Sequence, residues 1–189
     1  MRWEQLFADL EAQVAEQEAA AEQAEEASRA RAEYGRVLLA DRLRGASGQQ
    51  LSLTCRGVGE LAGQLVDVGV DWLLLIDGQA RELLVASRAV TAVAGLVAVT
   101  APASEQGAVA RRLDLRRALR GLARDRATVS CLIEDGGVLG GTVDRVGADF
   151  LELAEHPLDR PRRRGAVTAV RAVPLWAVVA VRTSLPAVA

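Results

Sequence analysis

Short runs of alternating apolar and polar residues follow residue 45, and they predict β-strands. The first run alternates strictly between the two kinds of side chain, as Leu51, Ser52, Leu53, Thr54 and Cys55. Four more runs follow at residues 61–68, 72–76, 82–86 and 90–96, and Asp77-Gly78 is predicted as a hairpin turn. Because these strands are short and closely spaced, they favour a small, strongly bent β-barrel.

Residues 2–44 lack this alternation and predict one long helix or two nearly collinear helices. They contain no Pro and a single Gly, Gly35, and consist mainly of good helix formers. Apolar residues recur at alternating spacings of three and four in a seam that fades into Ala. The apolar start of this seam is too hydrophobic to leave in water and is a candidate partner-binding surface, formed by Trp3, Leu6, Phe7 and Leu10. Two interpretations stay open here: a solvated helix docked by its first turns on its own domain, or a coiled coil with a partner.

A looser stretch at residues 100–107 precedes a second helix, RRLDLRRALRGLARDR. One face of this helix is apolar, and another carries arginines at a spacing of four, namely Arg112, Arg116, Arg120 and Arg124. The pattern therefore divides the chain into a helical arm at 1–45, a first barrel at 46–99, a linker with the Arg-rich helix at 100–126, and a second barrel at 127–184.

The second strand set repeats the first. The stretch VGVDWLLL at 68–75 returns as VGADFLEL at 146–153, and aligning Gly69 with Gly147 keeps one offset without a gap. Further matches include Leu53 with Cys131, Gly63 with Gly141, Asp71 with Asp149, and Trp72 with Phe150. After the insertion EHPLDRPRRRGAV, the segment AVPLWAVVAV resembles LLVASRAVTAV of the first copy. Each copy also follows a helix that ends in Leu-Arg-Gly, so the repeat unit is a helix plus a small barrel.

The order of elements in each copy resembles the Sm-like (LSm and Hfq) fold. The resemblance rests on GQLVDVGVDWLLL and GTVDRVGADFLEL, which look like the family pattern of a glycine, an apolar residue two later, a turn residue at six and an apolar run from nine. It covers about two thirds of the chain. It implies an α+β fold with a long N-terminal helix followed by two small five-stranded Sm-like or SH3-like barrels, each preceded by a helix.

The resemblance does not extend to the residues that read RNA bases in this family. Sm proteins usually carry an Asp in this turn, followed by a Met-Asn pair whose amide reads a base edge. The corresponding positions here hold Gly69, Trp72 and Leu73 in one copy, and Gly147, Phe150 and Leu151 in the other. Leucine has no amide that could both donate and accept. The Arg-Gly of the family's final turn is Arg88-Ala89 in copy one and Trp176-Ala177 in copy two.

Association through barrel edges is a separate property that the resemblance leaves open. The edge strands VTAVAGL and AVVAVRT expose apolar side chains and backbone groups that need a partner. The two barrels are expected to pair with each other or with another chain.

Composition narrows the choice of partners. The chain has 189 residues, half of them hydrophobic, and a formal net charge of -2, so no global field draws it to nucleic acid or anionic lipid. It contains neither Lys nor Asn, a bias typical of a GC-rich bacterial genome. Because Arg is then the only fixed cation available, its clusters of Arg are weaker evidence for a phosphate-binding site. The acids near the start argue against a signal peptide, and no apolar run reaches the ~20 residues of a membrane helix. We therefore expect a cytoplasmic protein with no membrane partner.

The sequence offers no set of residues typical of catalysis. Cys55 and Cys131 lie far apart and are predicted as small core residues, and the single His156 is predicted to be exposed in the insertion loop. No GxSxG elbow or phosphate-binding glycine pattern is present, and Asp71 and Asp149 are interpreted as turn residues. We expect no enzyme activity, no catalytic or metal site, no cofactor and no small-molecule substrate.

Two functional hypotheses follow. The first is a non-enzymatic scaffold or adaptor that acts through homo-oligomerisation and protein contacts. The alternative is RNA or DNA binding through phosphate contacts from the Arg-rich helix and from the loop residues Arg162, Arg163 and Arg164.

Overall fold

The computed structural model describes residues 2–96, 113–159, 162–163 and 165–183. The chain divides into two compact units, Met1–Leu39 and Ala40–Ala189. The first unit contains one long helix, α1 (Arg2–Tyr34). A second helix, α2 (Leu39–Gly45), begins after a short break that includes Gly35, so of the one or two helices that the sequence left open, the structure shows two.

The coiled coil predicted for α1 is wrong. The structure shows a single helix, and every side chain described in it is exposed, including Phe7 at 59 % and Val14 at 52 %. The physical reason lies in the seam after Val14, which continues through Gln17, Ala21 and Ala24. These small or polar side chains bury too little apolar surface to hold a second helix.

The second unit is built on ten strands and the helix α3 (Leu115–Arg124), which packs against the sheet. The strands of the first copy are β1 (Gln50–Cys55), β2 (Gly59–Val68), β3 (Trp72–Ile76), β4 (Glu82–Ala86) and β5 (Val90–Ala94). Those of the second are β6 (Thr128–Ile133), β7 (Val138–Val146), β8 (Phe150–Glu155), β9 (Ala169–Pro174) and β10 (Val178–Thr183). The predicted strands of the first copy are confirmed to within a few residues.

The predicted pair of five-stranded barrels is wrong. All ten strands form one antiparallel sheet in the order β5-β1-β2-β3-β4-β10-β6-β7-β8-β9, and this sheet is not closed. The two copies join because β4 pairs with β10, which merges their interiors into one hydrophobic core. Alternation along a strand sets which face is buried but does not say which neighbour its backbone will pair with, so the sequence pattern fits either arrangement.

The internal repeat is confirmed down to single hydrogen bonds. The sheet irregularity between Leu65 and Asp67 recurs at the equivalent positions of the second copy, Val143 and Arg145. In both copies the glycine of the turn after the second strand donates its N–H to the carbonyl of the aromatic residue three positions later, Gly69 to Trp72 and Gly147 to Phe150. Both copies also carry a 3-10 turn before their last strand, Ser87–Ala89 and Leu175–Ala177.

The hairpin between β3 and β4 is confirmed, but its loop is longer than the predicted dipeptide. The N–H of Asp77 donates to the carbonyl of Arg81 across the loop, at 3.0 Å. The Asp77 carboxylate accepts the backbone N–H groups of Gln79 and Arg81, at 2.9 and 3.1 Å. Burial alone would raise the pKa of Asp77, but these bonds and the Arg81 guanidinium hold that pKa below its ordinary value.

The prediction of an exposed His156 is wrong. The imidazole is only 5 % exposed, because the insertion folds back onto β7. Its Nε2 lies 2.9 Å from the hydroxyl of the fully buried Thr142, and its Nδ1 lies 2.9 Å from the Pro157 carbonyl oxygen. Both ring nitrogens therefore have partners, as burial of a polar side chain requires.

The turn VGVDWLLL shows why glycine occupies position 69. A Cβ at Gly69 would collide with the indole of Trp72, which is 6 % exposed and donates its Nε1–H to the Leu113 carbonyl at 2.8 Å. In the second copy, a Cβ at Gly147 would meet the ring of Phe150, which is 37 % exposed. The turn backbone therefore approaches an aromatic ring closely in both copies, but the ring is buried in the first copy and partly exposed in the second.

We predict that Gly69→Ala lowers the free energy of unfolding by about 1–3 kcal/mol, because the buried and hydrogen-bonded indole cannot move aside without losing its contacts. The matched variant Gly147→Ala is expected to cost less, since the half-exposed phenyl ring has room to rotate. Urea unfolding of the two variants measures the difference. Equal losses would contradict this account of the turn.

Candidate interaction site at the junction and the sheet edges

The junction between the two copies is a buried, antiparallel strand pair. Its register places Val85 opposite Ala180, Leu84 opposite Val181, and Leu83 opposite Arg182. Leu83, Val85 and Ala180 are fully buried there. Backbone pairing and apolar burial therefore hold the copies together along the central residues of β4, Leu83 to Val85.

Arg88 lies in the 3-10 turn Ser87–Ala89 and binds backbone carbonyls of the second copy at one end of this junction. Its guanidinium donates to the carbonyl oxygen of Leu175, to that of Val178 at 2.9 Å, and to that of Trp176 at 3.4 Å. The forked shape of Arg suits such a set of acceptors. Burial lowers the pKa of Arg88, and the charges of Asp71 and Glu134 act in the opposite direction. One side chain of the first copy thus binds the last turn of the second.

The turn between β1 and β2 of the first copy also contacts the turn between β6 and β7 of the second. Gly57 has a φ of +72°, and a Cβ at this position would collide with the Glu134 carbonyl, so only glycine allows this approach. Beside it, Nη1 of Arg56 lies 3.0 Å from Oε1 of Glu134. Arg56 and Glu134 are equivalent residues in the repeat, so the junction brings opposite charges onto matching positions.

The helix α3 packs against β7 of the second copy, and its N-terminal end is hydrogen-bonded to the first copy. Asp114 caps it by accepting the N–H of Arg117 at 2.8 Å. The Asp71 carboxylate accepts the N–H of Leu115 at 2.7 Å, and Trp72 donates to the carbonyl just before. Asp71 is a structural residue as predicted, but it binds this helix rather than its own turn.

The two ends of the sheet carry the strands equivalent to those of the junction. β5 corresponds to β10, and β9 corresponds to β4, yet among the strands that the structure describes each of the two end strands pairs on one side only. Exposed residues on them include Thr91, Ala92 and Ala94 of β5, and Val170 and Ala172 of β9. Trp176, which follows β9, is 69 % exposed.

An open cleft of about 340 Å³ lies between the β6–β7 turn and the 3-10 turn Leu175–Ala177 of the second copy. It is lined by Ile133, Glu134, Asp135, Trp176 and Ala177. Two acids and one exposed aromatic side chain face a shared space, which suits a cationic group. A smaller apolar cleft of about 150 Å³ lies beside α3, below the ~300 Å³ of usual ligand pockets.

The predicted phosphate-binding arginines are partly neutralised by acids. Arg116 lies 3.4 Å from Asp114, and Arg124 lies 3.2 Å from Asp125. In the insertion, Arg162 lies 2.6 Å from Asp144. Arg120 and Arg163 are exposed, whereas Arg112 and Arg164 lie outside the described residues.

Of the partner-binding surface predicted on α1, only the Phe7 side chain is described, and it is exposed. Trp3, Leu6 and Leu10 belong to the same helix, but their side chains lie outside the described part.

The sequence reasoning missed Arg88, Gly57 and the pair Arg56 and Glu134 as contact residues. A signal for the first was present in the alignment of LLVASRAVTAV with AVPLWAVVAV, which sets Arg88 opposite Trp176. Those two side chains differ more than the rest of the segment, and a contact made by only one copy explains such a difference.

Both cysteines are core residues, as predicted. Cys55 is 3 % exposed, Cys131 is fully buried, and neither forms a disulfide. Burial raises the pKa of the Cys55 thiol to about 11 and that of Cys131 to about 12. Within the described ranges, no group of three His, Cys, Asp or Glu side chains could hold a metal ion, and no helix is long and apolar enough to cross a membrane.

Comparisons with known proteins leave the family open. No protein-family model matches the chain, and no curated protein and no solved structure matches it significantly. The resemblance to Sm-like proteins stays a prediction, and function has to be argued from the geometry alone.

We predict that the buried thiols make stability depend on alkaline pH. The folded protein keeps them protonated, so their contribution is complete below the unfolded pKa of about 8.5 and is lost as the pH rises through the folded values of about 11 and about 12. Urea unfolding at pH about 7 and about 10 is expected to show a larger loss for the wild type than for a Cys55→Val/Cys131→Val variant. Identical pH dependence in both would contradict the assignment.

We also predict that Arg88→Ala and Arg88→Lys each lower the free energy of unfolding by about 1–2 kcal/mol, because Ala has no donor, the ammonium of Lys lacks the spread fork of the guanidinium, and the site is partly exposed. Amide exchange in β4 and β10 should rise in both variants. Arg120→Ala, which removes an exposed arginine from α3, is the control and should change little. Unchanged exchange at the junction would show that Arg88 does not fasten it.

Proposed function

We propose that the protein is a non-enzymatic scaffold that associates with other protein chains through the two end strands of its sheet. The observation that carries the proposal is that β5 and β9 are the equivalents of two strands that bury each other at the internal junction. An unpaired strand edge presents a row of free N–H and C=O groups and is a template for further pairing.

The exposed side chains on these strands support the same proposal. Natural sheets protect a free edge with charges, prolines or covering segments. β5 instead has the sequence VTAVA without a charge, and β9 carries one arginine and ends in Pro174. Val170 in β9 is 60 % exposed, and Trp176 beyond it is 69 % exposed. Among the residues that the structure describes, β5 is therefore an uncharged edge, and β9 is an edge with a single charge.

The helix α1 gives the scaffold a second surface. Phe7 and Val14 are exposed on it, and its acidic and basic residues are segregated along its length. In this proposal, α1 acts as an adaptor that contacts a partner protein. The proposed location of the protein is the cytoplasm. Phosphate contacts from the arginines remain the alternative, and their acidic neighbours weaken it.

We predict that the wild type elutes from a sizing column with light scattering at a mass well above the 20.0 kDa of one chain. The double variant Ala92→Lys/Ala172→Lys is expected to elute as a monomer, because a charged side chain on each edge blocks strand pairing. Gln79→Lys/Gly78→Lys, which adds the same charge in the exposed β3–β4 loop, should leave the mass unchanged.

Two further readouts separate the proposal from its rivals. Phe7→Ser/Val14→Ser should not dissociate the assembly if the sheet edges hold it. An absorbance ratio typical of bound nucleic acid would favour the phosphate-binding alternative. A wild type that is monomeric at every concentration would refute the scaffold.

A further inference from the structure

The cleft beside Trp176 has walls that the backbone holds in place. The N–H of Glu134 donates to the Ala177 carbonyl at 2.9 Å, so the β6–β7 turn is tied directly to the 3-10 turn that carries Trp176. Two more backbone bonds of 3.0 Å, both on Ile133, close the β6–β7 turn itself. Because both walls are fixed before a ligand arrives, little ordering cost opposes binding in the cleft.

Trp176 presents its indole to the cleft and to solvent from a turn that is held from behind. The residue is 69 % exposed and lines the cleft. Its carbonyl and that of Val178 accept the Arg88 guanidinium at 3.4 and 2.9 Å, so the backbone that carries the indole is anchored. The face of an indole ring attracts a cation that lies within ~6 Å of it. The cleft therefore has a fixed aromatic wall that suits a positively charged group.

The cleft also has one carboxylate without an ionic partner among the described residues. Glu134 is already paired, since its Oε1 lies 3.0 Å from Nη1 of Arg56. Asp135 is exposed, and its Oδ1 accepts the backbone N–H of Gly137 at 2.8 Å. Its Oδ2 receives no hydrogen bond from the part of the chain that the structure describes. Asp135 thus offers an oxygen to a ligand, beside the indole of Trp176.

We infer that the cleft binds an arginine side chain of a partner protein, with the guanidinium stacked on the Trp176 indole and donating to Asp135. A guanidinium is planar and weakly hydrated, so it can stack on an aromatic ring and bond a carboxylate at the same time. The remaining lining, Ile133 and Ala177, suits the methylene stem of the arginine. The inference goes beyond the end strands of the sheet, because the cleft can hold this side chain whether or not an edge is paired.

The chemistry of the cleft favours arginine over other ligands. An oligonucleotide could stack a base on the same indole, but its phosphates would meet the carboxylates of Glu134 and Asp135. A quaternary ammonium has no hydrogen to donate to Asp135, and a lysine ammonium is more strongly hydrated and lacks the planar fork. The fold itself already binds an arginine at this turn, since Arg56 contacts Glu134.

A titration of the full chain, labelled with nitrogen-15, tests the inference. The probe is a blocked pentapeptide with one central arginine among glycines. We expect the indole N–H signal of Trp176 and the amide signals of the β6–β7 turn to shift in a saturable way. A matched peptide with citrulline, which has nearly the same shape but no charge, should bind about tenfold more weakly. Equal binding of the two peptides would overturn the inference.

Two variants locate the contact. Trp176→Ala and Asp135→Asn are each expected to raise the dissociation constant of the arginine peptide about threefold to tenfold. Asparagine keeps an acceptor for the Gly137 N–H, so the turn stays folded. Tyr34→Ala and Asp159→Asn, which remove an exposed aromatic residue and an exposed acid outside the cleft, are the matched controls and should leave the constant unchanged.

The remaining arms separate this inference from its rivals and from the scaffold. If a tetramethylammonium salt or a single-stranded oligouridylate shifts the Trp176 signal while the arginine peptide does not, the cleft belongs to that other ligand and the inference fails. The edge variant Ala92→Lys/Ala172→Lys should bind the arginine peptide as the wild type does. A monomeric wild type that binds the peptide refutes the scaffold alone, and an assembled wild type that does not bind it refutes the cleft alone.

Discussion

The pairing of β4 with β10 is the contact on which the rest of the second unit depends. Two separate five-stranded copies would leave four strand edges with unpaired backbone groups, each a cost unless water or a partner satisfies it. Joining them at one edge of each reduces that number to two and merges the hydrophobic interiors into one core. The position of α3, the approach of Gly57 and the reach of Arg88 all follow from this pairing.

The two copies have the same backbone geometry, and they differ in the side chains that contact other elements. The first copy provides Asp71 and Trp72 to hold α3, and the second has Asp149 and Phe150 in the same turn. Asp149 keeps the local bond of this turn, since its carbonyl accepts the Leu175 N–H at 2.7 Å as the Asp71 carbonyl accepts that of Ser87 at 2.9 Å. Local backbone geometry is thus common to both copies, whereas side-chain chemistry depends on the neighbour each copy meets.

The sequence predicts local structure well, because each strand and turn requires a particular order of apolar, polar and glycine residues. The alternation around Leu53 and the repeat anchored on Gly69 and Gly147 locate the strands and their registers. The sheet order is harder, because the partners of an edge strand are chosen by backbone groups that every sequence possesses. An antiparallel strand with one buried face reads the same in a closed barrel and in an open sheet.

The insertion shows a second limit of sequence reasoning. A lone histidine among Pro, Asp and Arg is typical of an exposed loop, yet His156 is buried because Thr142 and a carbonyl oxygen satisfy both ring nitrogens. Thr142 lies in β7, which is not the strand next to His156 in the chain, and nothing in the loop itself marks it. The same fold-back brings Arg162 onto Asp144, so a run of arginines that looks like a phosphate site is partly an internal ion pair.

The two end strands of the described sheet copy the junction between β4 and β10 incompletely. β5 pairs with β1 as β10 pairs with β6, and β9 pairs with β8 as β4 pairs with β3. The groups that fasten the internal contact, Arg88 and Gly57, are replaced by Trp176 and Asp135. The side-chain contacts that fasten β4 to β10 are therefore not reproduced by the equivalent residues of the second copy.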